Sequence, residues 1–435
     1  MASENYLFMQ NRISCQSWSI PTIAPLRASA LLGMMLFLLV SIGTHAQTTT
    51  TFKIKYDINL LDLPGGVAQL PGGDYVIGAI NSTGIFLQGN LTRVDQSGNV
   101  VWCRTMTGSS LATIVNDVII DNSGNIVVAG DNSPGAFVTK VDAAGNNIWA
   151  TRISLPNGGG QSSSESANKI IQANDGNYVI GGSVTYFWDN VGSVRRDTTL
   201  MFVSKVNSTT GAVMWSNVIY VPTANPDESF ISGVTEVSDG FVFAGDLSEG
   251  TGTLNSDGDY PSDAIIFKVN KTTGALIWTR KLGSAGQSEY FSDVTTTSGD
   301  KILACGGANG GAIMMRFDLA GNIEWSHRWT NGLTYEMTEV VETFDGQYAA
   351  FGMNTVFAFP FPSFYGTIHK VTTAATPATT FGKRYTTPGA LGSISLIPEG
   401  IKTQDNGFLM SLMTFGLPDY SIYSVKTDPT GVIAP

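Results

Sequence analysis

The chain has 435 residues, of which 43% are hydrophobic, 14% are charged and 49 are glycine. This composition excludes a coiled coil and a disordered chain, and a formal net charge of −11 argues against non-specific binding to nucleic acid phosphates. The three histidines leave little material for histidine catalysis or a histidine-rich metal site. A turn-rich β-protein is the class that fits.

The first feature along the chain is an apolar run at residues 28–42, which follows Arg27. Fifteen residues are short for a membrane span, which needs about 20, but suit a secretory signal peptide. We therefore expect a signal peptide at residues 1–46, with cleavage after Ala46, and a secreted or surface-attached mature domain at residues 47–435. The alternative is a signal anchor that stays attached.

Removal of residues 1–46 would leave Cys103 and Cys305 as the cysteines of the mature chain. Two cysteines cannot form a disulfide framework of the kind that small secreted domains use. The repeats described below place the two in different units. The sequence therefore predicts two free, buried thiols.

Five segments that end in tryptophan share one order of residue types. A strand that ends in Lys or Arg and an apolar residue is followed by a turn rich in Asp, Asn, Thr and Gly, and then by a strand that carries Trp. Such recurrence indicates an internal repeat. The copies are RVDQSGNVVW (to Trp102), KVDAAGNNIW (to Trp149), KVNSTTGAVMW (to Trp215), KVNKTTGALIW (to Trp278) and RFDLAGNIEW (to Trp325).

A second turn, which comes earlier in each repeat, occurs seven times. Asp and Asn close such turns with their side chains, Gly supplies positive φ, and the flanking runs of Val, Ile, Tyr and Phe are typical of strands. The copies are LPGGDYVIGA, DNSGNIVVAG, ANDGNYVIGG, VSDGFVFAG, TSGDKILACGG, TFDGQYAAFG and TQDNGFLMSL.

Seven units of four strands predict an all-β, seven-bladed β-propeller, because a small sheet can bury both faces only by stacking on neighbours in a ring. The last unit lacks a tryptophan strand, whereas residues 51–56 form a strand without a partner in their own unit. We expect this N-terminal strand to complete the last blade, with Phe52 in the place of Trp. Phe381 stands near the same position in the sixth unit.

The KVNSTTGAVMW and KVNKTTGALIW segments resemble the repeats of pyrroloquinoline-quinone (PQQ) propellers. The turns of the form D-G-x-Y-x-I-x-G resemble tandem repeats of large secreted bacterial proteins, often exported by the type IX system. The resemblance covers about residues 51–435 and implies a propeller fold. Quinone enzymes of that family use an Asp base, Glu, Arg, bound Ca²⁺ and often adjacent cysteines, and none of these could be matched to positions here.

Most repeated residues are expected to be structural. The five tryptophans should pack between neighbouring blades. His327 is expected in an outer, fourth strand and His369 in a third strand, and neither has a Cys or carboxylate at the spacing of a metal site. The glycines that end the second strands should allow close approach of the backbone. These are Gly78, Gly130, Gly181, Gly245, Gly306 and Gly352.

The loops between the second and third strands are long in the third, fourth and sixth units, and they carry aromatic residues beside Asp and Arg. Loops on a rigid scaffold are common binding sites, and such residues suit sugar stacking or a protein partner. The alternative is that these aromatics cover their own blades. The candidate ligand-binding residues are Tyr186, Trp188, Arg195, Tyr260, Phe361, Phe364 and Tyr365.

A weak candidate for a Ca²⁺ site is formed by Asn255, Asp257 and Asp259, which partly resemble a calcium loop but lack the final Glu. No other cofactor is expected, and no catalytic residue is assigned. We expect a monomeric, non-enzymatic binding or scaffold module at the bacterial surface, with a glycan or protein partner, no nucleic acid and no membrane span in the mature chain. The alternative is an enzyme that acts on polysaccharide or on quinone-linked substrates.

Overall fold

The computed structural model describes residues 11–12, 15–19, 50–58, 61–82, 86–107, 112–132, 135–155, 162–187, 197–221, 226–249, 261–284, 286–308, 310–330, 336–356, 363–374, 376–385, 399–416 and 419–433. Within these ranges the protein consists of 30 β-strands in six sheets, and no helix is present. The all-β prediction is confirmed. Nor does this part of the chain contain a helix long and apolar enough to cross a membrane.

Four strands form an antiparallel ladder in each repeat, and we call such a set a unit. Units 1 to 4 are continuous in sequence. Unit 1 is β4 (Leu61–Gln69), β5 (Tyr75–Ser82), β6 (Leu87–Val94) and β7 (Val100–Thr107); unit 2 is β8 (Ile114–Ile120), β9 (Ile126–Asn132), β10 (Gly135–Val141) and β11 (Asn147–Arg152); unit 3 is β12 (Ser162–Gln172), β13 (Tyr178–Phe187), β14 (Asp197–Val206) and β15 (Val213–Ile219); unit 4 is β16 (Pro226–Val237), β17 (Gly240–Glu249), β18 (Ser262–Val269) and β19 (Leu276–Leu282).

Units 5 and 6 repeat this order, and unit 7 takes its fourth strand from the other end of the chain. Unit 5 is β20 (Glu289–Thr297), β21 (Lys301–Ala308), β22 (Gly311–Phe317) and β23 (Ile323–Trp329); unit 6 is β24 (Glu336–Glu342), β25 (Tyr348–Val356), β26 (Ser363–Val371) and β27 (Thr379–Tyr385); unit 7 is β28 (Glu399–Lys402), β29 (Phe408–Gly416), β30 (Asp419–Thr427) and β3 (Phe52–Asp57).

Units 3 and 4 share one eight-stranded sheet, and the other units lie in sheets of four or five strands. The two units of the large sheet are joined by a single parallel pairing, Thr199 with Glu228. The first strands of successive units contact one another from β4 to β28, and β28 in turn contacts β4. The first strands therefore follow one another in a cycle of contacts.

The N-terminal strand β3 pairs antiparallel with β30, as the sequence predicts. Phe52 lies opposite Lys426, in the same register as Trp102 opposite Arg93. Phe381 also lies opposite a lysine, Lys370. Both phenylalanines therefore stand where the other units have Trp.

Three of the tryptophans tie neighbouring units together through the indole N–H. Trp102 donates to the carbonyl of Ala143 at 3.3 Å, and Trp278 donates to that of Leu319 at 3.0 Å. Trp149 donates in the same way to Ser208 at 3.2 Å. Each acceptor belongs to the turn between the third and fourth strands of the next unit. These contacts bear out the predicted packing role.

Each first strand from unit 1 to unit 6 contains a β-bulge. The predicted glycines explain how it fits in units 2, 4, 5 and 6, whereas the atoms nearest a Cβ on Gly78 in unit 1 belong to the side chains of Val118 and Val115. A Cβ atom built on Gly245 would lie 1.9 Å from the carbonyl oxygen of Phe230, and one on Gly306 would lie 2.0 Å from that of Tyr290. Only a residue without Cβ allows the bulged backbone so close. At Gly181 the close neighbour is instead a side chain, that of Ile231.

In the full-length chain Cys103 forms a disulfide with Cys15, so the prediction of two free thiols, which concerns the chain without residues 1–46, does not hold for this form; Cys305 is free and buried as expected. The disulfide follows from two short strands that precede the expected cleavage site, β1 (Asn11–Arg12) and β2 (Gln16–Ser19). β1 pairs in parallel with β3, and β2 with β7. Cys15 is thereby brought beside Cys103.

We expect the thiol count to depend on processing. The uncleaved chain should contain one alkylatable thiol after denaturation without reductant, because Cys15 and Cys103 are bonded. A chain cleaved after Ala46 has lost Cys15 and should contain two. Mass spectrometry of the alkylated protein, with the N-terminus sequenced in the same sample, checks this. A bridge between Cys103 and Cys305 would contradict the placement of these residues in units 1 and 5.

Candidate functional site

One position of the first strand is charged in five of the seven units. It lies four residues before the first residue of the turn that ends the strand, and in units 2 to 6 it directly follows the bulge. The charged residues at this position all line one cavity, and we call it the axial position. Its occupants, from unit 1 to unit 7, are Gly66, Asp117, Lys169, Gly233, Asp293, Glu339 and Glu399.

Lys169 connects opposite parts of the molecule. Its Nζ lies 2.5 Å from Oε1 of Glu339 and 3.5 Å from Oε2 of Glu399. The lysine comes from unit 3 and the two glutamates from units 6 and 7. All three side chains are only 12–16% exposed. A pair so poorly solvated interacts more strongly than a surface ion pair.

The two axial aspartates bind the backbone of the next unit. Asp117 accepts hydrogen bonds from the N–H of Ile170 at 2.9 Å and of Val118 at 2.8 Å. Asp293 accepts one from the N–H of Val340 at 2.9 Å. These carboxylates join unit 2 to unit 3 and unit 5 to unit 6.

The acids of this axial cluster, defined as Asp117, Lys169, Asp293, Glu339 and Glu399, resist ionisation. Burial, together with the negative charge of Asp293, raises the pKa of Glu339 to about 8. Burial and Glu339 raise the pKa of Glu399 to about 7, and burial raises that of Asp293 to about 6. Burial lowers the pKa of Lys169, but the surrounding carboxylates outweigh it and hold that pKa well above its usual value.

A cavity of about 460 Å³ begins at the axial cluster and extends toward the turns that follow the first strands. Its wall is largely aliphatic, with Ile119, Ile171 and Ile401 among the residues that line it. Phe344 and Gln404, which belong to those turns, also line the cavity, and Phe344 is 60% exposed. The cavity therefore combines an ionisable floor, an apolar wall and an aromatic residue at its mouth.

The cavity and the strand ends that lead into the loops chosen from the sequence lie on opposite faces. In an antiparallel unit, the turns after the first and third strands are on one side, and the loop after the second strand is on the other. The cavity opens toward the first of these turns. It is therefore separate from the loop face proposed as the binding face.

Two of the predicted ligand-binding residues have described side chains. Tyr186 is 2% exposed and packs in the core between units 2 and 3, in agreement with the alternative that such aromatics cover their own blades. Tyr365 is partly exposed, with the guanidinium of Arg384 5.9 Å from its ring centre. Phe364 lies in β26, but its side chain is outside the description. Trp188, Arg195, Tyr260 and Phe361 lie outside the described residues.

The weak metal candidate formed by Asn255, Asp257 and Asp259 also lies outside the described residues. Within the described ranges, no group of three or more His, Cys, Asp or Glu side chains has metal-binding geometry. His369 is 1% exposed, and burial lowers its pKa to about 4. His327 packs edge-on to Trp329. Neither histidine lines the axial cavity.

The axial cluster was missed at the level of sequence, although the repeats contain a signal for it. Alignment of the seven first turns places Asp, Lys, Asp, Glu and Glu in one column, with Gly in the other two units. A charged column in a buried strand is unusual, because unpaired charges are costly to bury. The sequence reasoning treated acids as turn residues and did not examine the strand before each turn.

Comparison with known proteins supports the repeat type. The family model described as outer membrane protein assembly factor BamB, a PQQ-repeat model, matches residues 201–359, from unit 3 into unit 6. A search of curated proteins gave no match.

Solved structures align over most of the chain, at low similarity. They include the virginiamycin B lyase of Staphylococcus aureus (10% identity, 84% of this chain and 95% of that chain, TM-score 0.47). The polysaccharide lyase Uly1 aligns at 9% identity over 84% and 90% of the chains, with a TM-score of 0.49. The α-L-arabinanase of Penicillium chrysogenum aligns at 14% identity over 86% and 94%, with a TM-score of 0.42. At this similarity the alignments say nothing about the activity of this chain. The family match supports PQQ-type propeller repeats in it.

Proposed function

We propose that the chain folds as a closed seven-bladed propeller in which each unit is one blade. The cycle of contacts among the first strands supports this proposal, as does the entry of β3 into unit 7. In this view the single parallel pairing between units 3 and 4 is a local contact between two blades. The axial cavity is then the inner channel of the propeller, blocked at the level of Lys169.

We propose that this propeller is a non-enzymatic binding or scaffold module, and that the axial cavity is one of its ligand sites. The composition of the cavity supports this proposal. It is lined by aliphatic residues and by the axial cluster, and among the described lining residues Thr295 provides the one side-chain hydroxyl, without His, Cys or Ser. Such a site can hold a ligand, and the groups in it that could act as nucleophiles, Lys169, Glu339 and Glu399, contact one another. The name of the matched family, an assembly factor, is in line with a scaffold role.

The alternative of an enzyme acting on polysaccharide or quinone-linked substrates keeps one observation in its favour. Glu339 and Glu399 line the cavity and have pKa values of about 8 and about 7, which suit a general acid or base near neutral pH. Both groups already contact Lys169. Catalysis would have to break these contacts, and for this reason binding is the proposal that we prefer.

The location and the partners follow from the sequence predictions. We propose export through the signal peptide at residues 1–46 and a secreted or surface-attached domain at residues 47–435. The proposed partner is a glycan or a protein, and the module acts as a monomer. The long loops of units 3, 4 and 6 form a second proposed ligand face, opposite the axial cavity.

A cavity-filling variant tests the axial site. We expect Thr295→Phe to abolish binding of ligands that the wild-type protein captures on a glycan and peptide array, because Thr295 lines the cavity and the larger side chain occupies it. Thr209→Phe, which adds the same bulk at an exposed turn, should leave binding intact. If Thr295→Phe folds with an unchanged circular dichroism spectrum and keeps every ligand, the axial cavity is not the site.

The loop face makes a separate prediction. We expect Trp188→Ala and Tyr365→Ala to leave the melting temperature nearly unchanged and to abolish capture of ligands that Thr295→Phe still binds. The physical reason is that the sequence places Trp188 in a loop and the structure leaves Tyr365 of β26 partly exposed, so that both can contribute contact area to a partner rather than to the core. Scanning calorimetry and the same array provide the measurement. A loss of several kcal/mol of stability, as core truncations cause, would assign these residues to packing instead.

A further inference from the structure

We propose that the axial cluster is a proton-operated latch that regulates the axial site, an inference that rests on the function proposed above. The latch holds opposite units together across the cavity floor and releases them when its carboxyl groups lose the protons that they share.

The cluster joins units that are not neighbours in the chain. Lys169 spans from unit 3 to Glu339 and Glu399 of units 6 and 7, while Asp117 and Asp293 tie their own units to the next. One cluster therefore links five of the seven units. A change in its charge acts on all of them together.

The acidic and basic groups of the cluster are unequal in number. Four carboxyl groups face one ammonium group, so full ionisation would leave three uncompensated negative charges in a poorly solvated place. The acids avoid this state by sharing protons. Glu339 is hydrogen-bonded to Asp293, and Glu399 to Glu339. A hydrogen bond between two carboxyl groups requires that one of them carries a proton.

Each first strand contributes one residue at the axial position, and two further titratable groups lie near the cluster. β8, β12, β20, β24 and β28 contribute the five cluster residues, whereas β4 and β16 contribute Gly66 and Gly233. Behind β20, the buried thiol of Cys305 pairs in register with Asp293, and Glu336 of β24 lies within electrostatic range of that thiol. Burial raises the pKa of both Cys305 and Glu336. The thiol of Cys305 is therefore uncharged when the latch is closed. Neither a thiol nor a carboxyl group can supply a positive charge, so Cys305 and Glu336 do not balance the carboxylates.

The direction of the pH effect follows from linkage. The acids of the cluster have pKa values that are raised on folding, so the folded state binds more protons than the unfolded state. Their stabilising effect is complete below the ordinary pKa values of Asp and Glu, 3.8 and 4.5. It decreases as the pH rises above these values, and it is fully lost once the pH has passed through about 6 to 8, where the acids of the folded state ionise. The latch is therefore closed in mild acid and released in mild alkali.

The test compares thermal unfolding of the full-length protein and of two Glu→Gln variants between about pH 5 and pH 9. The melting temperature of the wild type should fall by several degrees over this range, and that of Glu339→Gln should fall by less than half as much, because the amide keeps a hydrogen-bond donor and cannot ionise. Glu324→Gln is the matched control. The pKa of Glu324 is lowered by Lys301, so this surface group titrates below the window and its variant should retain the wild-type slope.

A second readout uses Cys305, which is buried beside Asp293. At about pH 8, alkylation of Cys305, quantified on its own peptide by mass spectrometry, should be several-fold faster in the wild type than in Glu339→Gln. Equal pH slopes and equal alkylation rates in the two proteins would overturn the latch. Because no ligand is present in either measurement, this outcome is independent of whether the axial cavity binds anything, which the array with Thr295→Phe decides.

Discussion

Deletion of residues 51–57 is expected to produce a protein that unfolds at a much lower temperature than the parent and that aggregates. The deletion removes β3, the fourth strand of unit 7, and with it Phe52 and Tyr56, which are 7% and 1% exposed. Truncation of one large buried aromatic side chain costs about 3–5 kcal/mol. The loss also exposes the edge of β30 and invites pairing with other chains.

The N-terminal strand β3 makes the same side-chain contacts as the fourth strand of another unit. The hydroxyl of Tyr56 donates to the carbonyl of Gly98 at 2.9 Å, in the turn between the third and fourth strands of unit 1. Tyr385, which follows Phe381 at the same spacing, donates to the corresponding carbonyl of Gly431 at 2.9 Å. The junction of units 7 and 1 therefore uses the same contact as the junction of units 6 and 7.

Two measurements decide the outcome of the deletion. Scanning calorimetry should give a melting temperature well below that of the parent, and light scattering should detect oligomers. Tyr56→Phe serves as a mild companion variant, because it loses one hydrogen bond, worth about 1 kcal/mol, and keeps the packing. A deletion variant that melts like the parent and stays monomeric would refute closure by the N-terminal strand.

The repeat and the strand pairing could be read from the sequence because they depend on local chemistry. Each turn needs Asp, Asn or Gly at fixed places, and each fourth strand carries an aromatic residue, so seven copies make the pattern visible. The same pattern predicts Phe52 in the register of a tryptophan, and the structure has this pairing.

The axial cluster could not be found in that way, because it depends on which residues meet across the molecule. Lys169 and Glu339 are 170 residues apart and belong to units that are not neighbours in sequence. No single unit contains a motif that indicates the axial cluster. Each of its charged residues, taken alone, resembles a solvent-exposed residue of a strand. The contacts among the first strands bring the column of charges to one place.

The disulfide of Cys103 could not be predicted from the sequence for a different reason. The prediction of a free Cys103 assumed that Cys15 is removed together with residues 1–46. The structure pairs Cys15 with Cys103, beside an outer strand whose free edge accepts β2. Open strand edges attract extended segments whatever their position in the chain.

Substitution of Gly306 by alanine is the second large effect that we expect. A Cβ atom at this position would lie 2.0 Å from the carbonyl oxygen of Tyr290, and the opposing atom belongs to the backbone. The clash therefore cannot be relieved by rotation of a side chain. Forced overpacking costs about 1–3 kcal/mol and at times more, and we expect about 3 kcal/mol or more here.

The same substitution should disturb the axial cluster, because Tyr290 lies in β20 immediately before the bulge that precedes Asp293. A shift of this bulge moves the carboxylate that accepts the N–H of Val340. Chemical denaturation should show the loss of stability, and the unfolding transition should also lose part of its dependence on pH. Gly72→Ala is the control, since a Cβ atom there meets nothing within 4 Å. If Gly306→Ala and Gly72→Ala had equal stability, the bulge would not require a glycine beneath it, and the explanation of how the fold positions its axial residues would be wrong.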